Sequence, residues 1–248
     1  MGSALGTIIC IFGTKGGVGR TTVAANLAVA LGHQGQKTAL IDFDLQAGAV
    51  DQVLGVAADK TIDDLIQSAD FAHAADYLTP FDQDLSVLVS PQRPELTLTL
   101  GSSAAAQTLS ALRDVFSFVV VDLPATLADH VSGALEAADF IGLVTGNDIL
   151  SIKNAVFALQ NLALLGYDLQ TVRVIVNAFD RHGLTEEEVE AAVGLPIFWR
   201  IDRDKSLLDS LNRSKPVVLD NPKSPVSVTI KRLALALAIE YGKARGRR

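Results

Sequence analysis

Sulfur is almost absent from this chain: its 248 residues include one Cys and one Met, beside one Trp and three Tyr. The single Cys, at position 10, cannot close an internal disulfide. The four His (33, 73, 130 and 182) are too scattered to give a metal-ligand spacing. No apolar run approaches the roughly 18 residues that would read as a membrane-spanning helix. The N-terminus lacks the basic segment and apolar stretch of a secretory signal, so the sequence reads as cytoplasmic. Repeats, low-complexity tracts and long Pro/Gly/Ser linkers are missing too. The composition, 49% hydrophobic and 20% charged, is too apolar for a disordered chain and long enough to bury a sizeable core. A single domain over 1–248 is expected, with residues 1–6 as an appended or disordered leader.

Charge is unevenly spread. The formal net charge is −7, yet residues 231–248 hold six Lys/Arg against one acid, Glu240. The acidic body argues against wholesale coating of nucleic acid. Over 171–248, 14 Lys/Arg face 10 Asp/Glu, a slight excess rather than a patch.

Short apolar, β-branched runs recur at 7–12, 38–43, 85–89, 118–121, 140–144, 172–176 and 197–201. Helical spacing lies between most of them, at 22–31, 104–115, 151–165, 186–193 and 226–241. Thr185 with Glu188 has capping-box spacing and marks one helix start. Continuous apolar strands alternating with helices give an α/β fold, a mostly parallel sheet covered on both faces. Ligands in such a sheet sit at the carboxyl ends of the strands.

The first strand runs into Gly13-Thr14-Lys15-Gly16-Gly17-Val18-Gly19-Arg20-Thr21-Thr22, followed at once by a helical pattern. The spacing matches G-x-x-x-x-G-K-[ST] at Gly13, Gly19 and Thr21. Glycines let the backbone curl until successive N–H groups point at one phosphate chain, and the helix N-terminus adds partial positive charge. Thr21 would place its hydroxyl on Mg²⁺. Lys15 is a cation that a generic phosphate loop does not require. Arg20 stands where the motif has Lys, and its planar, bulkier guanidinium does not replace a compact ammonium between β- and γ-phosphates. ATP binding with slow or absent hydrolysis is the expectation.

Carboxylates end two other strands: Asp42 and Asp44 after the second, and Asp122 in Asp122-Leu123-Pro124. Asp122 is the candidate for supporting the metal, and Asp44 for orienting the attacking water. Asp42 either assists with the metal or simply closes its strand. Asn177 ends a later strand, and its amide, with one donor group and one acceptor, suits an adenine edge or merely terminates the strand. Asp202 and Asp204 follow the last strand, where a base or ribose is within reach.

Taken in order, Lys15-Gly-Gly-Val-Gly-Arg-Thr-Thr, Asp42-Phe-Asp44-Leu-Gln, Asp122-Leu-Pro and Asn177-Ala-Phe-Asp180 resemble the deviant-Walker ATPases of the ParA/MinD family, over about residues 7 to 241. The stretch from Val217 to Val226 and the Leu-Gln-x-Gly run within 42–51 are similar to the CpaE/TadZ proteins of Flp pilus assembly. The resemblance implies a P-loop fold and an ATP-dependent homodimer in which Lys15 crosses to the partner's phosphates. It also implies Asp44 at the attacking water, Asp122 in the second switch and Asn177 at adenine. Gly16, Gly17, Val18, Gly19, Arg20, Thr21 and Thr22 then cradle the nucleotide, with Thr21, Asp122 and Asp42 at Mg²⁺. Arg20 departs from the family pattern, and altered loops are a trait of the CpaE/TadZ branch. Members of that branch often carry an N-terminal receiver-like domain, which this sequence does not include, so it is expected to be either a short member or a fragment.

Residues 231–241 read as apolar on all sides, as in a helix buried against the sheet, with a basic end available to acidic lipid, DNA or a protein partner. Three functions are in play. One is a switch positioning pilus or secretion machinery at the membrane's inner face or a cell pole; another is a chromosome or plasmid partition ATPase on DNA; the third is a scaffold without turnover. A metal-cluster reductase is disfavoured, because Cys10 lies within a strand and has no second thiol.

Overall fold

A computed structural model describes residues 5–13, 15–90 and 99–242. The elements, in chain order, are β1 (Thr7–Phe12), α1 (Arg20–Gly32), β2 (Thr38–Asp42), α2 (Val50–Leu54), α3 (Ile62–Ser68), β3 (Thr79–Pro80), β4 (Leu85–Leu88), α4 (Ser102–Val115) and β5 (Phe118–Asp122). There follow α5 (Asp129–Ala137), β6 (Phe140–Thr145), α6 (Ile149–Leu164), β7 (Val172–Phe179), α7 (Glu186–Val193), β8 (Ile197–Asp202), α8 (Lys205–Asn212), α9 (Val217–Asp220) and α10 (Pro225–Gly242).

Among the described residues these strands form one sheet in the order β3-β4-β2-β5-β1-β6-β7-β8, parallel except where short β3 runs against β4. The strands are apolar on both sides because each side is covered. Ile8, Cys10 and Phe12 of β1 point into a layer completed by α3 to α7, whereas Ile9 and Ile11 point into one completed by α1, α2, α9 and α10. This period-two division fixes register, since a one-residue slip would exchange the two cores. The Thr185–Glu188 capping box at the start of α7 is present as the sequence suggests.

Two expectations need adjusting. Gly6 belongs to the fold: its N–H donates to the Arg113 carbonyl at 2.7 Å, and its α-carbon is so close to the Phe116 carbonyl that a side chain would not fit. Helix α10 is two-faced rather than buried all round. Ile230, Leu233 and Leu237 pack into the α1-side core, while Leu235 and Ile239 face solvent. The reason is that α10 lies on the outside of α1 and β8, so only one stripe finds a cover. The basic residues 243–248 lie outside the described residues.

The chain leaves β1 toward β2 on one side, and after β5 crosses to β6 on the other. That reversal opens a crevice at the carboxyl end of β1, the general ligand position in open α/β sheets. The loop from Gly13 to Arg20 occupies it.

Candidate functional site

The loop is shaped by its glycines. Gly17 (φ 78°) and Gly19 (φ 89°) are in the left-handed region, where a side chain is strained. A Cβ on Gly13 would stand 2.6 Å from the Val144 carbonyl, so the loop lies flat against β6. Gly16 and Gly17 face open space. Gly19 caps α1 without any side-chain acceptor, which leaves the first helical N–H groups directed at the loop's mouth.

Arg20 turns inward. Its Nη1 donates to the carbonyls of Gly13 (2.8 Å) and Lys15 (3.1 Å), bracing the loop from within, while its buried Nε has no partner. Thr21 Oγ1 donates to Asp122 Oδ2 at 2.6 Å. The other oxygen, Asp122 Oδ1, is buried without a hydrogen-bond partner. Burial pushes the Asp122 carboxyl up to about 7, against the opposing pull of the Thr21 hydroxyl and the Arg20 charge. Asp42, fully buried on the neighbouring strand, is pushed well above the carboxylate range, first by burial and then by the Asp122 charge. Two backbone donors, Asp44 N–H at 3.0 Å and Val50 N–H at 3.2 Å, hold its oxygens in place.

An orphaned carboxylate oxygen, a hydroxyl on its twin and a second buried carboxylate together make a hard oxygen donor set that suits Mg²⁺ shared with phosphate oxygens. Among the described residues no cluster of three or more His, Cys, Asp or Glu could hold a metal alone.

Asp44 accepts from Ala47 N–H at 3.0 Å, forming the turn that leads into α2. Behind it His130 of α5, a residue the motifs do not include, bonds the Phe43 carbonyl through Nε2 at 3.0 Å and meets the Phe43 ring edge-on. Burial lowers its pKa below the usual imidazole value, opposed by that carbonyl and the Asp44 charge. His130 thereby ties the helix after Asp122 to the backbone between Asp42 and Asp44.

Lys15 lies within its own chain. Its Nζ donates to both oxygens of Asp148 (3.1 and 3.2 Å) and to Ser151 Oγ at 2.8 Å, at the start of α6. The Ser151 hydroxyl and the Lys15 ammonium hold the Asp148 carboxyl down to about 2. The pair is largely exposed and contributes about 1 kcal/mol at most.

Asn177 is buried, and its Nδ2 donates to the Val18 carbonyl at 2.8 Å. A Cβ on Gly19 would run into the same amide. The structure therefore uses the Asn177 donor to brace the phosphate loop. Ala178 follows with φ 52°, a left-handed alanine costing about 1–2 kcal/mol, beside a register shift between β7 and β8. Asp202 pairs with Arg200, and Asp204 caps α8. Neither lines the cavity of about 400 Å³ that runs from Lys15–Val18 to Asn147, Asn177, Asp180 and Arg203. Arg203, between the two acids, does line it, 3.6 Å from Asp180.

A glycine loop between β1 and α1, backed by Thr21 and Asp122 at the switch point of a parallel sheet, defines a P-loop nucleotide-binding protein. Residues 9–217 match the CobQ/CobB/MinD/ParA nucleotide binding domain, and the chain belongs to that family. It is 29% identical over 245 residues to the chromosome-partitioning ATPase Soj of Thermus thermophilus, covering 91% of this chain and 93% of that protein. To the septum site-determining protein MinD of Helicobacter pylori it is 25% identical over 256 residues, 97% and 95% of the two chains. The structure of the cell division ATPase MinD of Pyrococcus furiosus superposes with a TM-score of 0.83 at 26% identity, covering 95% and 99%.

Proposed function

We propose that this chain, acting as one domain, is an ATP-dependent dimerising switch that positions or assembles a pilus or secretion machine, with hydrolysis slow or absent. The observation that carries the nucleotide reading is Asp122, one oxygen on Thr21 and the other buried without a partner. Bound Mg²⁺ would neutralise charge on the β- and γ-phosphates. Thr21 and Asp122 would hold it, with Asp42 behind them. The backbone of Gly16–Thr22 would cradle the phosphates, and Asp44, at the turn after β2, would orient water.

Slow turnover is argued from Arg20. One nitrogen of its guanidinium braces two loop carbonyls, which turns the group inward, and a planar guanidinium does not replace the compact ammonium that the motif supplies there. In a dimer Lys15 would leave Asp148 and Ser151 and reach the partner's phosphates. The relatives support a placement role, since their names describe chromosome partition and septum-site selection. Likeness to the CpaE/TadZ branch rests on the sequence of 217–226 and on the altered loop. Among the described residues no helix is long and apolar enough to cross a membrane. Recruitment from the cytoplasm to a membrane face or pole would use a surface such as Leu235 and Ile239 of α10 with the basic end beyond it.

The second reading is a partition ATPase on DNA, favoured by the similarity to Soj. Incubation with Mg²⁺ and ATP, followed by isolation of the protein and measurement of its mass and bound nucleotide, tests the proposal. A dimer holding intact ATP is the expected result. Steady conversion to ADP restores a cycling ATPase, and retention of no nucleotide overturns the reading.

A further inference from the structure

One buried side chain at the β6–α6 junction is bonded to the turn that lines the far end of the cavity. Asn147 follows β6 with 4% of its surface exposed. Its Nδ2 donates to the carbonyls of Asp180 (2.7 Å) and Leu184 (2.9 Å), and its Oδ1 accepts from Asp180 N–H at 3.0 Å. Its own carbonyl accepts from Leu184 N–H at 2.8 Å. Gly183 packs so tightly against it that a Cβ there would stand 2.6 Å from Asn147 Nδ2.

The segment so held is also tied by the Asp180 carboxylate, which accepts from His182 N–H at 3.0 Å and lies 3.6 Å from Arg203. It is a tight turn closed by Gly183 N–H to the Asp180 carbonyl at 2.9 Å, with Arg181, His182 and Gly183 exposed and no strand beside them. Asp180, His182 and Gly183 line the same cavity as Lys15–Val18. On the nucleotide reading, phosphates cradled in the loop would place the attached ribose and base along this lining. Neither Asp42 nor Asp122 is part of it.

We propose that Asn147 is the positioning residue of the nucleobase end, setting affinity for the base and ribose of a nucleoside triphosphate but not for its phosphates. This rests on the nucleotide reading given above. An Asn side chain suits the task because one planar amide supplies two donors and an acceptor, and here all three are spent on backbone groups. It orients the lining rather than reading the base itself.

The test compares Mg-ATP with Mg-tripolyphosphate, which fills the loop but has no base, on wild type, Asn147→Ala and Asn147→Asp. Asp keeps the shape but sets a carboxylate against two carbonyls. In both variants ATP affinity should fall about ten- to a hundredfold, with tripolyphosphate affinity essentially unchanged. Hydrogen exchange of the free variants should lose protection over 180–184 while 19–24 keeps it. Equal losses for both ligands would make Asn147 a general support of the fold and overturn the proposal, as would unchanged ATP affinity. If wild type binds neither ligand, the nucleotide reading itself falls and takes this proposal with it. If wild type binds and the variants match it, only this proposal falls.

Discussion

The two ends of the cleft are built in opposite ways. At the carboxylate end, Asp42 and Asp122 are buried on adjacent strands with raised pKa values, and Asp122 Oδ1 and Arg20 Nε have no hydrogen-bond partner. At the other end, the amides of Asn147 and Asn177 spend their donors on backbone carbonyls and hold their segments rigidly. One end is finished in the free protein, whereas the other holds two carboxyl groups whose ionisation is opposed by burial and would be favoured by a bound cation. A switch needs this asymmetry. In the proposed switch the finished end would capture the nucleotide, and the unfinished end would make the protein's state depend on what has been captured.

The largest effect should come from Asp122→Asn. It removes a buried charge, so the free protein should melt about 5 °C higher at neutral pH. The same change should weaken Mg²⁺-dependent ATP binding about a hundredfold, because a neutral amide is a poor partner for the ion. Melting curves and calorimetry on one preparation check both halves, and loss of stability together with binding would break the contrast. Next in size is Arg20→Lys. A lysine is a compact point charge that can sit between phosphate oxygens, so ATP turnover should rise about tenfold. Single-turnover measurement decides it, and unchanged turnover would mean that something other than Arg20 limits the reaction.

His130→Phe should cost about 1–2 kcal/mol through the bare Phe43 carbonyl. It should also flatten one component of the pH dependence. Because the folded pKa of His130 lies below its unfolded value near 6.5, the unfolded chain takes up a proton first as pH falls. This residue's stabilising contribution is therefore present above about pH 6.5 and lost below it. Denaturant titrations of wild type and variant across pH 5–7.5 measure the difference. The smallest effect on stability is expected for Lys15→Ala, about 1 kcal/mol or less, since its partner Asp148 is exposed. ATP-dependent dimer formation should nonetheless disappear, as light scattering would show.

The apolar runs marked the seven principal strands to within a few residues, because burial on both faces leaves the inner ones contiguous hydrophobic segments, while edge strand β8 is only partly buried. The long helices α1, α4, α6, α7 and α10 were legible from their spacing. Helices α2 and α9 were not, and their starts explain why. Val50 N–H is held by Asp42 Oδ2, and Val218 N–H by Asn26 Oδ1, so partners 8 and 192 residues away replace a local cap.

The site divides along the same line. Loop and strand-end residues stood out through motif spacing, whereas Asp148, Ser151, Asn147 and His130 act on groups remote in sequence. Asp148 could have been found, since an Asp three residues before a Ser at a helix start, directly after an apolar strand, is an N-cap signal. The engagement of Arg20 and Asn177 with loop carbonyls had no sequence signal at all.

Hydrogen exchange across the whole chain, with and without Mg-ATP, tests the asymmetry most directly. New protection should concentrate at 15–22, 42–50 and 122–130, while 177–184 is already protected in the free protein and gains little. Protection appearing mainly at 177–184, with the carboxylate end unchanged, would contradict it.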